Sequence, residues 1–458
     1  FSTSRLRKLT MELATQRLMM GAAGATGKKT YVEDIFSVDC YVGNGGTLTI
    51  NNGIDLAGEG GMVWIKCRSH QTGHQIYDTV RGATKRLKFE STDGESTESA
   101  GLTSFNSNGF TLGSNSNSNE SGREYVAYTF RRAPGFFDIV GYSGNGTNRV
   151  IPHSLEVQAK AIIVKKRDTN GSGAAPWAVH FESIKEFNGQ TLILNQNSSH
   201  SSNEGWFKDG GQNNSSQFPI GGNWRTNDSA STYVAYLFAG GNYNWEGKWF
   251  GDDEDDFVIR TDKYQGNANT TGPDVDCGFQ PQFVLIKNAD RSSNCDWQVF
   301  DSFRGIGATA QDNGFTATDE WLQPNRTDPK ATADRLSLIT NGFKPTSTAQ
   351  IINGSGDDHV YIAIRRPDPK VGIPVESGTD VFAMDTGNGS STVPSFDSNF
   401  MVDWGVYRKP AVSGSTDGNW YSFLRLNHPI FQKLNIDNPE NDTSVGRFDS
   451  QVGWGAYS

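Results

Sequence analysis

The sequence predicts an all-β protein made of tandem β-sandwich modules, about four of them, preceded by a short N-terminal α-helix. Three observations lead there. The 458 residues include 52 Gly together with abundant Asn, Ser, Thr and Asp, which supply turn chemistry, and 11% aromatics, which pack well on pleated strands. The apolar residues, 35% of the chain, gather in short runs bounded by Gly and Pro and, beyond residue 20, not in long helical stripes. Those runs then recur in a fixed order. The length also exceeds what one core sustains, since cores stop growing at about 250–300 residues.

The helix is expected over residues 4–20, SRLRKLTMELATQRLMM, where Leu6, Leu9, Leu13 and Met20 share one face and Ser4 can cap the first turn. An apolar stripe on a basic helix needs a partner. Its expected role is assembly, onto sister chains or a host particle; the competing use is packing on its own first module. Residues 21–29, GAAGATGKK, read as a linker. The chain opens on Phe1 and closes on Ser458 before a recognisable closing strand, so a longer natural protein is expected.

The repeat has three elements. The first is an apolar run closed by lysine: Met62-Val63-Trp64-Ile65-Lys66, Ala161-Ile162-Ile163-Val164-Lys165 and Phe283-Val284-Leu285-Ile286-Lys287, with a weaker fourth copy at Phe400-Met401-Val402-Asp403-Trp404. The second alternates apolar and polar residues, as a half-buried strand does: Gln75-Ile76-Tyr77-Asp78, Ala178-Val179-His180-Phe181, Gln298-Val299-Phe300-Asp301 and Trp420-Tyr421-Ser422-Phe423. The third closes each module, as Tyr125-Val126-Ala127-Tyr128, Tyr233-Val234-Ala235-Tyr236 and His359-Val360-Tyr361-Ile362, preceded in the first and third modules by the tight-turn pairs Asn108-Gly109 and Asn341-Gly342. The spacing, 99 positions from Lys66 to Lys165 and 122 from Lys165 to Lys287, gives units large enough for their own cores, a chain of domains and not a solenoid. The division read from it is 1–29 for helix and linker, then modules 30–133, 134–250, 251–370 and an incomplete 371–458.

Charge and motifs exclude several function classes. Residues 1–29 carry +5 and the remainder −15, so the acidic body repels phosphates and nucleic acid is not expected as a partner. No apolar run approaches the roughly 18–20 residues of a membrane span, so membrane insertion is not expected. Cys40, Cys67, Cys277 and Cys295 read as free buried thiols, and the seven histidines lack metal-ligand spacing. Metalloprotease, phosphate-loop and nucleophile-elbow motifs are missing, so no catalytic residues are assigned and an enzyme is not expected. The paired Asp78/Arg81 and Asp301/Arg304 could serve a ligand, but an internal ion pair at a strand end is the preferred reading. The run Asp252-Asp253-Glu254-Asp255-Asp256 reads as a solvated junction; its alternative is calcium held by Asp252, Asp253 and Asp255, the one cofactor considered. Segment 206–250 interrupts Gly-, Asn- and Ser-rich sequence with aromatics. These either fill a joint between modules or, through Trp224, Trp245 and Trp249, offer stacking platforms to glycan.

The series Tyr31-Val32-Glu33-Asp34-Ile35-Phe36-Ser37, Gly43-Asn44-Gly45-Gly46, Asn51-Asn52-Gly53-Ile54-Asp55-Leu56 and Gly60-Gly61-Met62-Val63-Trp64-Ile65-Lys66 resembles the opening of a family of marine tailed-phage virion proteins. The likeness continues through Leu102–Gly113, Tyr142–Thr147 and Ile151–Leu155. It covers roughly residues 30–245 well and the rest more loosely, while residues 1–29 depart from it. The resemblance implies lectin-like β-sandwich modules and a non-enzymatic structural role in a tail fibre or other virion appendage. It implies as partners other copies of the chain, in a homo-oligomer of three or more, and other tail or capsid proteins. A host-glycan-binding adhesin and a polysaccharide depolymerase are the alternative functions.

Overall fold

The computed structural model describes residues 29–458 apart from 172, 185–189, 203–204, 208–211, 242–249, 252–255, 307–318, 388–394, 399, 401, 409–418, 425–429, 438–440, 443–445, 448–452 and 457–458. The expected helix, with Leu6, Leu9, Leu13 and Met20, lies outside the described residues. What is described is nearly all β, in several separate antiparallel sheets. The α-helices among the described residues are three single turns, Ser116–Asn119, Trp224–Asn227 and Gln350–Asn353.

One sheet pattern occurs three times. An entry strand pairs with a closing strand, the closing strand with a lysine strand, and the lysine strand with a short strand. In the first module these are Phe36–Val42, Glu124–Arg131, Gly61–Cys67 and Gln75–Asp78. In the second they are Phe137–Ser143, Thr232–Phe238, Ala161–Lys166 and Ala178–Phe181, and in the third Ile259–Gln265, Asp358–Arg365, Pro281–Asn288 and Gln298–Asp301. The register is also shared: Lys66 lies opposite Val126, Lys165 opposite Val234 and Lys287 opposite Val360. A smaller sheet covers one face of each large one, built in the first module from Leu48–Ile50, Gly109–Leu112 and Leu102–Asn106.

The lysine strands lack polar alternation because both of their faces are buried. Val63 and Ile65 point into a core shared with the small sheet, and Val284 and Ile286 do the same in the third module. Met62, Trp64, Ala161, Ile163, Phe283 and Leu285 point the other way, into a single core common to the three modules. A strand buried on both sides reads as a continuous apolar run.

The three modules are therefore not a simple string; they close into a ring. A loop of each module donates a backbone N–H to the residue two places after the lysine of the next: Glu95 to Arg167 at 2.5 Å, His200 to Ala289 at 2.7 Å, and Lys330 to Arg68 at 2.9 Å. The third bond returns to the first module. The first and third modules each keep a core of their own beneath the small sheet, and the second face of each large sheet, which also has to be buried, is covered by the neighbouring modules. The ends of the ring meet where Val32 donates to the Val371 carbonyl at 2.9 Å.

Each single-turn helix is tied to the entry strand by a threefold-repeated staple. Buried Asn119, Asn227 and Asn353 accept from the backbone N–H of Asn44, Asn145 and Asn267 at 2.8, 3.0 and 2.8 Å. Tyr41, Tyr142 and Tyr264 donate to carbonyls of the same turns, at Ser118, Thr226 and Ile352. The chain passes so close that a Cβ on Gly43, Gly144 or Gly266 would meet a carbonyl oxygen at 2.2, 2.0 or 2.3 Å. Glycine is required at those three places by contact, whatever its φ.

The fourth unit departs from the expected register. Its counterpart of the lysine strand is Trp404–Arg408 and not residues 400–404, because Val402 and Asp403 precede the strand. It pairs with Trp420–Leu424, which pairs with Ile430–Lys433, while Gly453–Ala456 pairs with Phe396–Asp397. Phe423, Phe431 and Trp454 form a small core on one face.

Candidate functional site

The residues that looked like chemistry in the sequence converge at the joints of the ring. Asp78 and Arg81 form an ion pair at the end of the short strand, and both side chains are fully buried. The three-residue spacing lets Arg81 turn back on the strand, where it also donates to the Ile76 carbonyl at 2.9 Å. Tyr236 of the second module completes the site by donating to the other side of the joint, at 2.7 Å from Asp78 Oδ2. The same group recurs one joint away. Tyr128 donates to Asp301 at 2.8 Å, and Arg304 donates to the Tyr128 hydroxyl at 2.7 Å.

The electrostatics mark these as locks. Burial raises the pKa of Tyr128 and Tyr236 well above the usual phenol, so both remain O–H donors. Burial alone would lower Arg81 and Arg304, but the adjacent Asp78 and Asp301 carboxylates more than offset it and both stay charged. A buried pair of this kind tolerates the loss of neither partner.

The three lysines lie on the same faces. Lys66 donates to the Thr327 carbonyl of the third module at 3.3 Å, Lys165 to Thr92 of the first at 2.7 Å, and Lys287 to Asn197 of the second at 3.4 Å. Burial pulls Lys66 and Lys287 down to about 8 and Lys165 to about 7. A third set fills the joints with rings. Trp177 Nε1 donates to the Lys88 carbonyl at 2.9 Å and Trp297 Nε1 to Ile193 at 3.0 Å. His74 holds the equivalent place, receiving Trp64 Nε1 on Nδ1 at 2.8 Å and lying 3.0 Å through Nε2 from the Gln323 carbonyl. A carbonyl can only accept, so Nε2 carries the proton and the ring is neutral, in keeping with a pKa that burial lowers far below the usual value.

The Asp/Arg spacing was legible as an internal ion pair; its tyrosine partner was not. Donor and acceptor lie 158 positions apart in one joint and 173 in the other. A signal existed in the repeat itself. Phe181 stands at the Asp position of the second module and Ile362 at the Tyr position of the third, so the joint lacking the acid also lacks the tyrosine.

Of the aromatic segment, Trp206, Phe207, Phe218 and Phe250 are buried and not exposed platforms; Phe218 lies opposite Ile151 on the second module's own small sheet and Phe207 packs 5.4 Å from His180 of the same module. Trp224 is half-buried on the second single-turn helix, with the Arg225 guanidinium 4.6 Å and the Lys166 ammonium 5.8 Å from its ring. Trp245, Trp249, Asp252, Asp253 and Asp255 lie outside the described residues. Among the described residues no three His, Cys, Asp or Glu side chains group as metal ligands. The four cysteines are buried free thiols. An open cleft of about 590 Å³, which no sequence signal marked, lies beside the first module between Leu56, Glu59, Ser104, Phe105 and Arg132. Arg132 is already bound to Asp138 at 2.7 Å.

The family whose profile matches residues 32–367 is described only as a domain of unknown function, DUF7483. That span coincides with the three-module ring and is well over half of the chain, so the chain belongs to this family. No curated protein matches it.

Proposed function

We propose that this DUF7483 chain is a non-enzymatic structural protein of a tailed-phage virion, a component of a tail fibre or another appendage. One observation carries the structural half of the reading: of the ionisable residues that recur in the repeat, Asp78, Asp301, Arg304 and the three lysines bond directly across the joints between modules, and Arg81 holds Asp78 in place for its bond. Side chains turned inward in this way make a rigid body and are withheld from substrate. The virion half is supported by the sequence resemblance over residues 30–245. Lectin-like recognition and attachment to other tail or capsid proteins belong to the same proposal.

The test is localisation on particles. Antibody raised against the ring is expected to label an appendage of intact, purified phage in electron micrographs. A chain present in infected-cell lysate but absent from purified particles contradicts the reading.

A further inference from the structure

The stretch that leaves the ring after buried Val371 turns its apolar side chains outward. Ile373 is 57% exposed, Val375 60%, Val381 57%, Phe382 63% and Met384 88%. A 3-10 turn at Gly378–Asp380 gathers them. Asp380 Oδ2 accepts from the backbone N–H of Glu376 at 2.9 Å and of Ser377 at 2.8 Å, and Phe382 donates to the Gly378 carbonyl at 3.0 Å. The arm carrying Val375 is thereby folded back beside the arm carrying Val381 and Phe382. Five large apolar side chains held together outside a hydrogen-bonded turn need a cover.

The place where this stretch begins decides what reaches it. Val32 donates to the Val371 carbonyl at 2.9 Å, and the Glu33 carboxylate accepts from the backbone N–H of Ile373 at 3.3 Å. Gly251, against which the Lys370 carbonyl packs, donates to the Thr30 carbonyl at 3.1 Å. The N-terminal segment therefore enters the ring at the root of the exposed stretch. The nine residues of the linker 21–29 reach up to about 30 Å from that anchor, enough to lay residues 4–20 back on residues 373–384.

Charge selects the same pair. Residues 1–20 carry Arg5, Arg7, Lys8 and Arg17 against Glu12, four cations less one acid, a net +3. Residues 371–386 carry Glu376, Asp380 and Asp385 and no Lys or Arg, a net −3. The Glu376 side chain is exposed and has no partner among the described residues. An apolar stripe on a basic segment thus lies within reach of an apolar surface on an acidic one.

We propose that residues 4–20, which lie outside the described residues, dock within the same chain on the surface made by Ile373, Val375, Val381, Phe382 and Met384. Leu6, Leu9, Leu13 and Met20 are laid on those side chains, with the basic residues towards Glu376 and Asp385. Docking covers the seam where Val32 meets Val371 and ties the N-terminal segment to the stretch that leads to the fourth unit. One stripe does not serve two partners at once, so assembly through it requires its release first. This docking does not depend on the virion reading.

Hydroxyl-radical footprinting of the full chain, read by mass spectrometry, tests the proposal through the side chains themselves. Phe382 and Met384 are expected to be oxidised roughly tenfold more slowly in the full chain than in a chain lacking residues 1–20. The slowing should be the same at protein concentrations about a hundredfold apart, because a short linker makes the docking intramolecular. Leu9→Asp combined with Leu13→Asp should expose both residues as the deletion does, and Glu376→Lys should expose them in part. Met62, buried in the common core, reports an intact ring by staying unlabelled in every variant. Equal oxidation of Phe382 and Met384 in the full and shortened chains overturns the proposal. Slowing that disappears on dilution also overturns it, by giving the cover to a second copy.

Discussion

The Tyr236 hydroxyl crosses from the second module to the buried Asp78 carboxylate of the first, 2.7 Å away. One joint further round the ring Tyr128 and Asp301 repeat the contact, and at the remaining joint the two positions hold Phe181 and Ile362. Both partners are polar or both are apolar. The physical reason is the asymmetry of buried hydrogen bonds: replacing both groups is cheap, and orphaning one is not.

Removing the acid alone should therefore cost more than removing the hydroxyl. Asp78→Ala or Asp301→Ala leaves a buried guanidinium without its counter-charge, and a loss of about 3–5 kcal/mol is expected. Tyr236→Phe or Tyr128→Phe removes one bond to a charged group and should cost about 1.5–3 kcal/mol. Phe181→Asp introduces an acid without its arginine or tyrosine and should destabilise as strongly as Asp78→Ala. Urea unfolding of each variant gives the comparison; equal costs for the acid and hydroxyl variants would refute the ordering.

The tryptophans separate the joints of the ring from the fourth unit. Trp177→Ala and Trp297→Ala are expected to lose about 3–5 kcal/mol, the cost of emptying a large buried site. Trp420→Ala, in the fourth unit and with its indole exposed, should leave the melting of the ring unchanged. Calorimetry distinguishes the outcomes.

How far the sequence carried can be judged from these same residues. The apolar runs before Lys66, Lys165 and Lys287 were readable as buried strands, and the Asp78/Arg81 spacing as an ion pair, because both are local. The ring was not readable in the same way. A run without alternation reports that both faces are buried, but hydrophobicity does not say by whom, and a sister module is as good a cover as a small sheet. The tyrosine partners, the Lys66 acceptor at Thr327 and the staple at Asn119 depend on contacts far apart in sequence. Only a position-by-position comparison of the repeats, with Phe181 and Ile362 changing together, contains them.

Backbone geometry offers a stabilising change. Ala268 occupies the left-handed region at φ 52°, where the other two modules have Gly45 and Gly146, both at φ 72°. Ala268→Gly is expected to raise stability by about 1 kcal/mol and Gly45→Ala to lower it by a similar amount. Chemical denaturation of the two variants checks the opposite signs.

The buried lysines set the pH response. Unfolded, each titrates at the ordinary 10.5; folded, Lys66 and Lys287 sit at about 8 and Lys165 at about 7. Between those values the unfolded chain binds more protons, so stability rises as pH increases from about 8 towards 10. Glu33 and Asp39, which burial raises to about 7 and about 6, contribute in the opposite sense and have titrated below that window. Above the ordinary tyrosine value of 10.0 the buried phenols reverse the trend. Melting temperature measured across pH 8–10 should climb, and Lys165→Met should flatten the climb. A falling wild-type profile in that window contradicts the assignment.

The most direct test of the ring is native-state hydrogen exchange in graded denaturant, followed on the closing strands Tyr125–Phe130, Tyr233–Phe238 and Val360–Ile364 of the wild type and of Trp177→Ala. A shared core predicts that the three strands open with one free energy and that the single substitution lowers all three together. Loss of protection confined to Tyr233–Phe238, with the other two strands unmoved, would contradict a closed ring and return the chain to three independent modules.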